Sequence, residues 1–240
     1  DRDDGSKDIV PIEQARAAAP PTDWATTEIR QPEILGLQHF GDIPLDVLAS
    51  YIDWSPFFWT WQLHGVYPTI FNKPEEGKEA RKLFDDGQRM LEDIITHKRL
   101  RPRAVAGFWP ANSIGEDVEV YSDENRAETI ARFHFLRQQR RKREGQVCRS
   151  LADNVAPRDS GRIDYLGGFV VTAGNKVDEF AATFRNEGDD YSAIIVQALG
   201  DRLAEATAEY LHKLMRDQCG FGKDEGFAAG TKIDEEQAGC

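Results

Sequence analysis

Cysteine is scarce. Cys148, Cys219 and Cys240 are the only three in 240 residues, and no two form a C-x-x-C pair. An odd count without paired spacing supports neither a disulfide framework nor a thiolate zinc site, and it points to a reducing compartment. Histidine is thin as well: His39, His64, His97, His134 and His212 show no H-x-x-x-H or H-E-x-x-H spacing. No metal centre is expected from them, and none adjoins a serine or cysteine nucleophile motif. No apolar run approaches the roughly 20 residues that a membrane helix needs. The first residues, DRDDGSKDIVP, lack the apolar region of an export signal, so the expectation is a cytoplasmic chain that does not cross a membrane. Positive charge is in short supply: 30 Lys and Arg face 42 Asp and Glu, a formal charge of -12. That balance argues against nucleic acid as a partner and favours cationic or neutral ligands.

What is present suffices for a sizeable core, with 40% apolar residues including 10% aromatics. Residues 1–33 mix charge with an Ala-rich run, Pro20-Pro21 and Pro32, and read as an extended strap or linker, mobile if cut from a neighbour. Ile43, Leu45, Leu48 and Ile52 allow a short amphipathic helix, and a stronger one runs from about Pro74 to His97. The period then changes. Ala104 to Trp109 forms an apolar run ending at Pro110, and Val118 and Val120 alternate with Asp117 and Glu119, which reads as two strands joined at Gly115. Residues 124–144 read as a helix sliding into a basic tail. DYLGGFVVTAG (164–174) supplies a strand, Val177 to Phe184 a helix, and Asp190 begins the clearest helix, with Ile194, Ile195, Leu199, Leu203 and Leu211 on its apolar stripe. No Gly-x-Gly-x-x-Gly turn follows any strand. The predicted fold class is therefore α+β, a mixed or antiparallel sheet flanked by helices, rather than a doubly wound sheet.

Three constellations stand out. Residues 50–65, SYIDWSPFFWTWQLHG, hold three of the five tryptophans, two adjacent phenylalanines and one carboxylate, Asp53. A buried acid without partners costs several kcal/mol. Asp53 is thus at the rim, bonded to a backbone N–H as a helix cap, or held for a cationic ligand beside aromatic faces; the aromatics themselves also suit plain core packing. Asp201, Glu205 and Glu209 stand four apart and share one side of a helix, either as a solvated acidic face or with a member turned into a cleft beside Asp53. Arg137, Arg140, Arg141, Lys142 and Arg143 form a basic run in an acidic chain, either a solvated loop or a patch that steers an acidic partner. No catalytic side chain is assigned.

Seven blocks in one order, spread over roughly residues 35–215, resemble the C-terminal reactivation domain of cobalamin-dependent methionine synthase. They are Y-I-D-W-S-P-F-F with T-W-Q-L-H-G-x-Y-P (51–68), G-F-W-P-A-N (107–112), G-E-D-V-E-V-Y (115–121), L-R-Q-Q (136–139), L-A-D-N-V-A-P (151–157), D-Y-L-G-G-F-V-V-T-A-G (164–174), and the stretch from D-D-Y to D-R-L-A-E-A-x-A-E-Y-L-H (189–212). The resemblance implies a module of a methyltransferase in methionine biosynthesis. It would bind S-adenosylmethionine for reductive methylation of cob(II)alamin, with the cobalamin carried by a partner domain and the electron supplied by a flavodoxin-type donor. On the same resemblance, Asp53 matches an aspartate that pairs with the amino group of S-adenosylmethionine, and Glu205 a second acid lining that cleft. The basic run 137–143 is the expected contact for the acidic electron donor.

The resemblance also sets expectations about extent. Residues 1–33 are similar to the linker that follows the cobalamin-binding domain, and 34–240 would form the reactivation domain. The family's R-P-A-x-G-Y-P-like segment, with an arginine for the ligand's carboxylate, has no match here; IDEEQAGC (233–240) aligns with the residues that lead to it. The domain therefore reads as truncated at its C-terminus, with weak or no binding of S-adenosylmethionine and no activity alone. The other reading is a corrin-capping and carrier-docking domain that does not itself bind S-adenosylmethionine.

Overall fold

The computed structural model describes residues 9–140, 143 and 145–221. Helix α1 (Ile12–Ala17) is followed by β1 (Gly36–Phe40), α2 (Leu45–Ala49), α3 (Ser55–Trp59) and the long α4 (Gly77–Thr96). Strands β2 (Arg103–Ile114), β3 (Asp117–Tyr121), β4 (Thr129–His134) and β5 (Asp164–Thr172) come next, then α5 (Val177–Asn186) and α6 (Asp190–Gln218). Every strand pairing is antiparallel. The sheet runs β1-β2-β3-β4, and β5 pairs with β2 on the side away from β1. This is the α+β architecture expected from the pattern.

Strand β2 organises two cores, because side chains alternate across a pleated strand. In its first half the even-numbered Ala104, Ala106 and Phe108 face α4 and α6 and join the main core with Leu91, Ile94, Leu199 and Leu203. In its second half the odd-numbered Ala111 meets Val118 and Val120 under the turn at 151–155. Pro110 does not end the strand, as the apolar run suggested. It falls between the last residue paired with β1, Phe108, and the first paired with β3, Ala111, where a missing N–H removes no ladder bond on that side.

The expected helix over 124–144 is overturned. Ile130 to His134 lie in β4, paired with β3 through Val118↔Phe133, Glu119↔Arg132 and Asp117↔His134. Cross-strand partners outweigh a local pattern that suits either period. Strand β1, with its half-exposed alternation, was not anticipated at all.

The described part of the strap, residues 9–33, is laid along the body. Val10 N–H donates to Gln139 O at 2.8 Å, and Ala18 O accepts from Cys148 N–H at 2.8 Å. Arg162 donates to the carbonyls of Trp24 and Thr27, and Arg30 to Gly220 O at 2.7 Å. Beneath it lies a cleft of about 230 Å³ bordered by Trp24, Arg30, Phe108, Asp164 and Phe221.

Helix α4 approaches the aromatic cluster so closely that a Cβ on Gly87 would stand 2.8 Å from the Phe57 ring. Gly87→Val is therefore expected to cost about 1–3 kcal/mol through overpacking, measured by urea denaturation. Unchanged stability would mean that the helix is free to back away.

Candidate cofactor-binding site

Asp53 stands in the short turn between α2 and α3, half-buried. Its Oδ1 accepts from the Ser55 N–H at 2.9 Å, tying down the first turn of α3 in the manner of an Asx turn. The backbone N–H contact weighed for this acid is thus present, as a turn ahead of α3 rather than as a helix cap, since the N-cap position is Trp54.

Trp54, Phe57 and Phe58 are buried core residues, packed edge to face: Trp54 against Phe57 at 5.2 Å and Phe84 at 4.9 Å, Phe57 against Phe58 at 5.8 Å. Trp59 turns outward, 54% exposed, and Tyr51 and Trp61 are half-buried. The aromatic enrichment is chiefly packing, and it forms the rigid floor on which Asp53 sits.

Helix α6 is the other wall. Tyr51 meets Tyr210 edge to face at 5.6 Å, and Trp61 meets Tyr191 at 6.2 Å. The 51–61 segment therefore runs antiparallel along α6, past the stretch that carries the acid row. Asp201 and Glu205 are exposed and Glu209 is half-buried. The helix starts where the sequence indicates, with the Asp189 carboxylate accepting from Ser192 N–H at 2.9 Å. The structure brings the Asp53 segment and the helix of Glu205 together, two elements about 150 residues apart in sequence.

One cation escaped the sequence reading. Lys213, four residues past Glu209, pairs with Asp217 at 2.9 Å, and its pKa is raised, first by that hydrogen bond, with smaller contributions from Tyr51 and Tyr210. The i,i+4 spacing to Asp217 was the available signal. On the same helix, burial, followed by the charge of Arg216, lowers the pKa of His212.

The basic run divides. Arg137 is not a surface residue: its side chain is 5% exposed, and it bonds Asp153 at 2.6 Å, Glu116 at 2.9 Å and the Cys148 carbonyl at 2.8 Å. Asp153 and Glu116 raise the guanidinium's pKa against the opposing effect of burial. A steering role for Arg137 is therefore corrected to a structural one. Arg140 and Arg143 are exposed; Arg141 and Lys142 lie outside the described residues, as do residues 1–8 of the strap, Cys240 and the IDEEQAGC segment. Among the described residues no group of three or more His, Cys, Asp and Glu could hold a metal ion, and no helix is long and apolar enough to cross a membrane.

Comparison with known proteins agrees with these features. A solved structure described as the MetH reactivation domain bound to AdoHcy superposes with a TM-score of 0.86 at 42% identity, covering 92% of this chain and 68% of that one. Residues 44–240 match the family described as "Vitamin B12 dependent methionine synthase, activation domain". With five-sixths of its length inside that match, the chain belongs to the family of activation domains of vitamin B12 dependent methionine synthase.

Proposed function

We propose that this activation domain holds S-adenosylmethionine between the α2–α3 turn and α6, with Asp53 on the ligand's ammonium group and Glu205 lending further negative charge from the facing helix. One observation carries the reading: Asp53 is anchored by the Ser55 N–H in a segment whose Tyr51 and Trp61 pack on α6, the helix that bears Asp201, Glu205 and Glu209. A ligand with two positive centres, ammonium and sulfonium, suits such surroundings, since fixed carboxylates attract it and a rigid floor limits the entropy lost on binding. The AdoHcy named with the similar solved structure shares the adenosyl and amino-acid parts of that ligand, including the ammonium, while its sulfur is an uncharged thioether.

The cobalamin sits on a separate cobalamin-binding domain, to which residues 1–33 lead, and residues 34–240 form the module that faces it. S-adenosylmethionine supplies an activated methyl group and the cobalamin the centre that receives it. The contribution of this chain is to bind the donor and orient its methyl toward the partner domain. A flavodoxin-type carrier provides the electron.

The reading is tested by adding the methionine synthase polypeptide that contains this chain to cob(II)alamin-loaded partner domain, with a chemical reductant and S-adenosylmethionine. The methylcobalamin spectrum is expected only with all components present. Persistence of the cob(II)alamin spectrum would overturn the proposal in favour of a domain that caps the corrin without binding the methyl donor.

A further inference from the structure

We propose that Ser55 positions the carboxylate of Asp53 for the methyl donor, by tying the turn that carries it to the loop formed by residues 60–68; this rests on the donor-binding reading above. A serine at a helix start ordinarily caps the helix, its oxygen accepting from an N–H of the same first turn. Ser55 is used differently. It is the first residue of α3, the cap position belongs to Trp54, and among the described residues no side chain caps that helix. The Ser55 hydroxyl oxygen instead accepts from the Tyr67 N–H at 3.1 Å, twelve residues further along the chain. At the same time the Ser55 N–H donates to Asp53 Oδ1 at 2.9 Å. One residue thus joins the acid to the loop.

The loop is itself fastened. Leu63 is buried in the main core, and its N–H donates to Phe58 O at 3.2 Å. Val66 O accepts from the Ile70 N–H at 2.9 Å and from Thr69 Oγ1 at 2.8 Å, while the Lys73 ammonium bonds the His64 carbonyl. The Tyr67 ring stacks on Phe84 of α4 at 5.3 Å and meets Phe71 edge to face at 5.7 Å. Phe84 in turn packs against Trp54 at 4.9 Å. The contacts therefore close a circuit through Asp53, Ser55, Tyr67, Phe84 and Trp54, the last being the chain neighbour of Asp53. In that circuit the Ser55 hydroxyl is the polar link between turn and loop, and the rest is ring packing.

What the circuit secures is position. A charged group serves a ligand well when it is held within about 0.5 Å of the productive geometry, and a carboxylate fixed beforehand loses less entropy on binding than one that the ligand must order. Removing the hydroxyl leaves the Asp53 charge and its Ser55 N–H partner in place but frees the turn from the loop. Ser55 acts through Asp53, as a positioning residue.

Calorimetric titration of S-adenosylmethionine into the polypeptide that contains this chain tests the role, with urea unfolding of each variant alongside. Ser55→Ala should raise the dissociation constant about three- to tenfold, in keeping with the loss of one neutral hydrogen bond. Ser55→Thr retains the accepting oxygen and should bind within about twofold of wild type. In the Asp53→Asn background Ser55→Ala should weaken binding no further, because a group that acts through another adds nothing once that other is gone. A merely structural serine would subtract its share in both backgrounds. Wild-type affinity in Ser55→Ala overturns the assignment, as does a Ser55→Thr variant as weak as Ser55→Ala, or an additive loss in the double variant. Failure of the donor-binding reading looks different: it shows as wild-type affinity in Asp53→Asn, or as no binding by the wild type.

Discussion

Asp53→Ala is expected to raise the dissociation constant for S-adenosylmethionine by about 10–100-fold, because a hydrogen bond to a charged group contributes about 1.5–3 kcal/mol and 1.4 kcal/mol is a factor of ten. The same change removes the acceptor for the Ser55 N–H, which should cost about 0.5–1.5 kcal/mol of stability, the usual net contribution of one hydrogen bond. Asp53→Asn separates the two roles. The amide oxygen can still accept from Ser55, so stability should recover, but the negative charge is gone and binding should stay weak. Glu205→Gln, on an exposed position of α6, should produce only about a two- to fivefold rise, in keeping with exposed charge pairs. Calorimetry on the polypeptide that includes this chain, with thermal unfolding of each variant, decides the matter. Wild-type affinity in Asp53→Asn would reduce Asp53 to a turn-forming residue.

The second large effect concerns stability. Arg137→Met should destabilise the fold by about 3–5 kcal/mol, since it strips the shared cation from two carboxylates that are largely out of water. For a chain of this length that is a fall of roughly 10 °C in Tm. Glu116 keeps Arg16, bonded at 2.9 Å, and Asp153 keeps the Ser150 N–H at 2.8 Å, so the domain should still fold. Arg137→Lys should recover only part of the loss, because one ammonium cannot reproduce the fork that reaches Glu116, Asp153 and the Cys148 carbonyl together. Acid titration gives an independent readout. The Arg16 hydrogen bond, and then that of Arg137, hold the Glu116 carboxyl below its ordinary value of 4.5 despite burial. A depressed carboxylate stabilises the fold above its unfolded pKa, and this contribution is lost as pH falls through the lower folded value. Wild-type stability should therefore drop below about pH 4.5, and Arg137→Met should make that drop shallower. Urea unfolding at pH 7 and pH 4 measures both; equal stability of variant and wild type at pH 7 would show that the ion cluster is dispensable.

Local pattern was enough for some of this molecule and misleading for the rest. Helices α4 and α6 are long, and their apolar residues repeat at 3.6, so each announces its buried face without help from a neighbour. The β2–β3 hairpin was readable for a similar reason, its two strands being adjacent across the Gly115 turn. Strand β4 was not. Its residues 130–134 satisfy a helical count as readily as an extended one, and the pairing with β3 decides between them. Strand β1 is five residues of weak alternation whose partner lies some 70 positions away.

The candidate site divides in the same way. The residues of the acid row, the aromatic stretch with Asp53 and the blocks that resemble the activation-domain family were all present in the primary structure, since identity and spacing are properties of the chain alone. Tertiary structure alone decided which way those side chains face. Trp54 and Phe57 went into the core, the Asp53 turn was laid against the helix of Glu205, and Arg137 left the basic run to neutralise Glu116 and Asp153. The physical reason is common to these cases: burial and ion pairing are settled by partners distant along the chain, and their energies exceed the few tenths of a kcal/mol by which local preference separates the alternatives.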